Sequence, residues 1–194
     1  MDGVEGQDRL AIDYSQSAGW QRGYFTWNSG YGRNWSLLTD LSSSSSGVYR
    51  GSISTTADSV IFSGIESFAI TGTAYADGIL CGNGDDIING RGGADVLLPG
   101  AGSDLIILAD KTTEYYDDLN PFTDGSSDYA HITGLDSSDF IQLQGSPSLY
   151  QITEGSGSSW IYRQKSDGEP AELIAFVQEV TGLNLGFSQF IYVS

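Results

Sequence analysis

Aspartate recurs at nine-residue intervals in the middle of the chain, at Asp77, Asp86, Asp95 and Asp104. Two positions after each stands an aliphatic residue: Ile79, Ile88, Leu97 and Ile106. Glycine gathers ahead of the aspartates, as in Gly82-Asn-Gly-Asp-Asp86, Gly90-Arg-Gly-Gly-Ala-Asp95 and Gly100-Ala-Gly-Ser-Asp104. Such a segment turns tightly and presents its carbonyls, because glycine tolerates positive φ. The aspartate adds a hard anionic oxygen, and the next three residues make a short strand whose middle aliphatic faces inward. With two units to a coil, loops eighteen residues apart stack on the same side, Asp77 on Asp95 and Asp86 on Asp104. Each pair can then enclose an ion with carboxylate and carbonyl oxygens alone. A cage of about six oxygens suits Ca2+, whereas Mg2+ tends to keep its water. The alternative is a metal-free solenoid with aspartate in its turns. Stacked carboxylates without a cation repel, which weighs against it.

The nonapeptide resembles the calcium-binding repeat of RTX proteins, the haemolysin-type family. Four units in register, from Gly72 to Ile107, carry the resemblance. The segment from Asp128 through Asp136 and Asp139 to Leu143 is similar to the cap that follows such repeats. The ending from Glu172, with Phe190-Ile-Tyr-Val-Ser194, resembles C-terminal regions of cyanobacterial members. The resemblance implies a right-handed parallel β-roll (a β-solenoid) that folds on binding calcium. It also implies type I secretion to the extracellular space or cell surface through an uncleaved C-terminal signal. Beside the four aspartates it implies calcium ligation by carbonyls of Gly82, Gly84, Gly90, Gly92, Gly100 and Gly102. The first unit departs from the pattern, with Thr73 and Tyr75 at glycine positions, and Cys81 and Pro99 open two others.

Composition agrees with a cation-binding role. The 194 residues hold 25 Asp+Glu against 8 Lys+Arg, a net charge of -17. That field repels nucleic acid and anionic membrane. With 39% hydrophobic and 12% aromatic residues the chain has material for a core and is no disordered acidic tail. Cys81 is the single cysteine, so neither an internal disulfide nor a cysteine-based zinc or iron–sulfur site is expected. The acidic Met1-Asp2-Gly3-Val4-Glu5 is unlike a cleavable secretory signal. No apolar run approaches the roughly 20 residues a membrane-spanning helix needs.

The elements that must position the loops are mainly strands, so the expected fold is all-β. Residues 1–59 form a strand-rich lead-in, with strands at 8–14, 23–27 and 35–38 and a serine-rich turn at 42–46. Residues 60–109 form the calcium-binding roll. The aliphatic row extends upstream at the same interval through Ile70 to Ile61, whereas Phe68 and Ser59 interrupt the aspartate row. Residues 110–194 form an α+β cap carrying the secretion signal, with strands at 129–133, 140–143, 159–163 and 190–193. Within it, Leu173, Phe176, Val177 and Val180 fall at helical spacing, which predicts a helix over 172–180 ended by Gly182.

Other residues offer other chemistry. Asp117, Asp118, Asp124 and Asp128 make a further calcium site or a solvated acidic loop. Trp20, Trp27 and Trp35, set among glycine and Arg22 and Arg33, can stack on sugar rings or on neighbouring strands. Ile87, Val96, Leu98, Leu105 and Ile107 face outward on the roll, to be covered by flanking segments or by further subunits. His131 is the one histidine, and no Gly-x-Ser-x-Gly accompanies it, so an enzyme is not expected. The resulting expectation is a secreted calcium-dependent structural domain. The alternatives are a calcium-rigidified adhesin or glycan-binding module, or a self-assembling surface or matrix subunit.

Overall fold

The computed structural model describes residues 7–16, 38–43, 49–55, 59–165 and 168–194. The expected strand at 23–27, most of the serine-rich turn, and Trp20, Trp27 and Trp35 with their two arginines lie outside the described residues. Five strands precede the aspartate loops: β1 (Arg9–Asp13), β2 (Leu38–Ser43), β3 (Tyr49–Ser54), β4 (Ser59–Ile65) and β5 (Ser67–Thr71). Each nonapeptide then contributes one short strand: β6 (Gly78–Leu80), β7 (Ile87–Asn89), β8 (Asp95–Leu98) and β9 (Leu105–Ile107). Six more follow: β10 (Ala130–Thr133), β11 (Phe140–Gln144), β12 (Tyr150–Gly155), β13 (Ser158–Arg163), β14 (Glu172–Gln178) and β15 (Phe190–Val193). The chain is all-β. Its one helical piece among the described residues is a 3-10 turn at Pro147–Leu149.

The strands form two sheets. One runs β1-β5-β7-β9-β11-β15, parallel throughout. The other runs β12-β13-β14-β10-β8-β6-β2-β3-β4, parallel from β14 to β2 and antiparallel at both ends. From β5 to β11 consecutive strands alternate between the sheets. Partners in the repeats are eighteen residues apart, as Ala69 with Ile87, Ile87 with Leu105 and Gly78 with Val96. The next step in each sheet is thirty-five residues, Leu105 to Phe140 and Val96 to His131. Both sheets therefore run through residues 59 and 109 without a break in pairing.

Burial follows the repeat. Ile70, Ile79, Ile88, Leu97, Ile106, Ile132 and Ile141 fill one continuous core. The outward-facing Ile87, Val96, Leu98, Leu105 and Ile107 are half-buried. The aliphatic row stops at Ile70, because Ile61 is 75% exposed on β4. There Phe62 and Ile65 turn to the core instead, and the antiparallel β3–β4 pairing sets which faces point in.

The helix expected over 172–180 is a strand, β14, over Glu172–Gln178, and the described residues of the C-terminal part hold no α-helix. Leu173, Ile174, Ala175 and Val177 are all buried. β14 lies between β10 on one side and β13 on the other, so both of its edges are hydrogen-bonded. A strand covered on both faces reads as a continuous apolar run, and periodicity cannot tell such a run from a buried helix.

Candidate metal centre

The four aspartates stack as their spacing requires, and all four are buried. The carboxylates of Asp86, Asp95 and Asp104 are each held by a backbone N–H of the preceding coil. Phe68 N donates to Asp86 Oδ1 at 2.6 Å and Asp86 N to Asp104 Oδ1 at 2.8 Å. Asp77 N donates to Asp95 Oδ1 at 2.8 Å. These bonds register one loop on the next and leave the second carboxylate oxygen for another partner. On Asp86 that oxygen takes the Gly82 N–H at 3.2 Å, and on Asp77 it takes the Thr73 N–H at 2.5 Å. On Asp104 it is buried and accepts no hydrogen bond from the described residues. A buried polar atom without a partner is costly, and such an orphan marks a place where an ion or water belongs.

Glycine is what lets the loops lie this close. A Cβ on Gly100 would collide with the Gly82 carbonyl, and one on Gly102 with the Gly84 carbonyl. Both residues also have positive φ, 103° and 145°. The carbonyls of Gly82 and Gly84 thus lie against the next loop, that of Gly82 accepting the Ala101 N–H at 2.9 Å. Together with the Asp86 and Asp104 carboxylates these loops offer oxygen donors only. These residues fit a calcium ion.

Electrostatics points the same way. Burial raises the Asp86 carboxyl to about 6, against the N–H bonds from Phe68 and Gly82 that lower it. Burial likewise raises Asp104 to about 7, with the charges of Asp86 and Asp139 adding to it against the Asp86 N–H bond. Asp95 is pushed well up by burial and by the charge of Asp77. Carboxyls so placed near neutral pH call for protons or for a cation.

The row of Asp86 and Asp104 has a further member. Asp104 N donates to Asp139 Oδ1 at 3.1 Å, and Asp139 is buried. Asp139 did carry a signal in the sequence. Gly125 to Thr133 and Gly134 to Gln142 are two more nonapeptides, with Gly first, Ala130 and Asp139 sixth, and Ile132 and Ile141 eighth. Residues 108–124 separate them from the first four units and throw the frame off. At the opposite end, a polar cleft of about 380 Å³ is lined by Gln7, Arg9, Glu66, Ser67, Asn83, Gly84 and Asp85. Arg9 crosses it, donating to the Asp85 carbonyl at 2.8 Å and to Ser67 Oγ at 3.2 Å.

The acidic loop divides. Ligand atoms of Asp117, Asp118 and Glu172 lie within 4.8 Å of one another. Lys165 Nζ already sits among them, 3.1 Å from Asp117 and 2.7 Å from Glu172. Asp124 closes a local turn onto Ser126 N at 3.3 Å. Asp128 instead takes the Gly93 N–H at 2.7 Å and so joins the repeat loops. His131 Nε2 lies 2.8 Å from Gln178 Oε1, and its ring packs on Phe176.

No protein-family model matches the chain, and no curated protein matches it.

Proposed function

We propose that the protein is a calcium-dependent structural module of the RTX type, its two sheets forming the walls of a right-handed parallel β-roll. The observation that carries this reading is the buried Asp104 Oδ2, which has no partner among the described residues, in a stack of closely packed glycine loops. Strand pairing at eighteen-residue intervals and alternation between sheets support the roll. The residues that would hold the ion are Asp86, Asp104 and the carbonyls of Gly82, Gly84, Gly100 and Gly102, with Asp139 extending the row. Bound calcium would supply divalent charge that neutralises these carboxylates and ties successive loops together.

The surplus of acidic residues gives such a chain reason to fold only where calcium is plentiful. Extracellular calcium modules work at dissociation constants of about 10⁻⁴–10⁻³ M. A chain that stays open until it meets such concentrations suits export by a type I route to the cell exterior or surface. No helix among the described residues is long and apolar enough to cross a membrane.

The test is calorimetric calcium titration of the full chain and of single variants. Asp104→Ala and Asp86→Ala are expected to weaken calcium binding at least tenfold, and Asp77→Ala to weaken it less. A larger loss from Asp77→Ala would reverse the ordering, and unchanged binding in all three variants would remove the loops as the site.

A further inference from the structure

The two stacks of aspartate loops differ in the partner of one atom. Asp104 Oδ2 accepts nothing from the described residues, whereas its counterpart Asp95 Oδ2 accepts a hydrogen bond from the Tyr116 hydroxyl at 2.7 Å. Tyr116 is itself only 1% exposed. It belongs to residues 108–124, the stretch inserted between the fourth and fifth nonapeptides. Gly90 approaches so closely that a Cβ there would strike the phenol oxygen. The Tyr115 carbonyl lies against Gly92 in the same way, 3.0 Å from where a Cβ would stand. The insertion therefore packs on the two glycines whose carbonyls calcium would need on this side.

The other half of this stack is closed as well. Thr73, at a position where the repeat has glycine, donates its N–H to Asp77 Oδ2 at 2.5 Å and its hydroxyl to Asp77 Oδ1 at 2.9 Å. A buried carboxylate oxygen must have a partner, and a phenol O–H provides one without bringing charge. Among the described residues, Asp86 and Asp104 have no such hydroxyl donors.

We infer that Tyr116 decides where calcium binds: its hydroxyl takes the cation's place on Asp95, so the Asp77/Asp95 stack folds without metal and calcium is confined to the Asp86–Asp104–Asp139 side. This rests on the calcium reading proposed above. It makes the residues 108–124 insertion a terminator of one ion row, built from side chains in place of another glycine loop.

Calcium bound per chain, counted by equilibrium dialysis, tests it. In the full chain Asp95→Asn is expected to bind as many ions as the wild type, while Asp104→Asn loses at least one. Tyr116→Ala is expected to gain one ion, and Tyr116→Ala/Asp95→Asn to lose that gain. Tyr116→Phe keeps the ring in the core should the alanine variant not fold, and is expected to gain the same ion with weaker affinity. Loss of an ion on Asp95→Asn in the wild-type background overturns the inference, as does an unchanged count in every folded Tyr116 variant. A wild-type chain that binds no calcium overturns the calcium reading, and this inference with it; loss on Asp95→Asn from a calcium-binding chain overturns this inference alone.

Discussion

At the scale of single residues, the buried aspartates make stability depend on pH in opposite directions with and without metal. An unfolded aspartate titrates at about 3.9. Asp86 and Asp104 in the metal-free fold titrate at about 6 and about 7. Between roughly pH 4 and pH 7 the folded chain therefore holds more protons than the unfolded one, and its stability falls as pH rises through that window. Under the calcium reading proposed above, the bound ion reverses the sign, because a ligating carboxylate must be ionised and its pKa drops below the unfolded value. Stabilisation by calcium is then present above about pH 4 and fades in stronger acid. The expected outcome is that the difference in stability between calcium and chelator widens from about pH 5 towards about pH 7, where the chelated chain no longer holds its fold. A difference that narrows over that range, or a chelated protein that gains stability as pH rises, would count against these carboxylates as the ligands. The four repeat aspartates were legible in the sequence because type and spacing coincide. Tyr116 was not, since its place on Asp95 depends on how a seventeen-residue insertion folds back over twenty-one positions. Nothing in its own neighbourhood of sequence marks it.

At the scale of elements, legibility tracked exposure pattern. β6 to β9 were readable from the nine-residue period alone, since each strand is three or four residues with one inward aliphatic. β10 and β11 were found as strands, yet their membership of the same row was hidden by the thirty-five-residue step. β14 was misread because burial on both faces erases the alternation that distinguishes strand from helix. Its neighbours decide its form. The parallel pairing of β10 with β8 and of β11 with β9 also yields a prediction about truncation. A chain ending after Asp110 loses β10, β11, β14 and β15 together. It leaves Asp95–Leu98 and Leu105–Ile107 as bare edges that carry the apolar Val96, Leu98, Leu105 and Ile107, which invites pairing with other chains. Asp104 also loses its contact with Asp139. The truncated chain is expected to be unfolded or aggregated, by circular dichroism and light scattering, at calcium concentrations that fold the full chain. A monomeric, β-rich fragment with an unchanged calcium midpoint would show that the later strands only decorate the repeats.

At the scale of the whole molecule, the proposed reading makes calcium the deciding term in the balance between core and charge. The core stacks one row of aliphatics with aromatics such as Phe62, Phe68 and Tyr116 beside it, and it is flanked by loops rich in glycine, which loses the most conformational freedom on ordering. Against it stand the net charge of -17 and a row of buried carboxyls that resist joint ionisation. A ligand at about 100 times its dissociation constant stabilises the native state by about 2.7 kcal/mol per site. Ordinary domains are stable by about 5–15 kcal/mol in total, so one or two ions are a large share. The cations Arg9, at the surface, and Lys165, half-buried, settle other acidic or carbonyl-rich corners without metal, but neither is paired with the Asp104 orphan. The most direct measurement is circular dichroism with small-angle scattering on the full chain in chelator at neutral pH, followed by restoration of calcium or of magnesium. The account predicts an expanded chain with little β-signal in chelator, compact and β-rich with calcium, and little changed by magnesium at the same concentration. A chain that stays compact and β-rich in chelator, or that magnesium folds as well as calcium does, would contradict it.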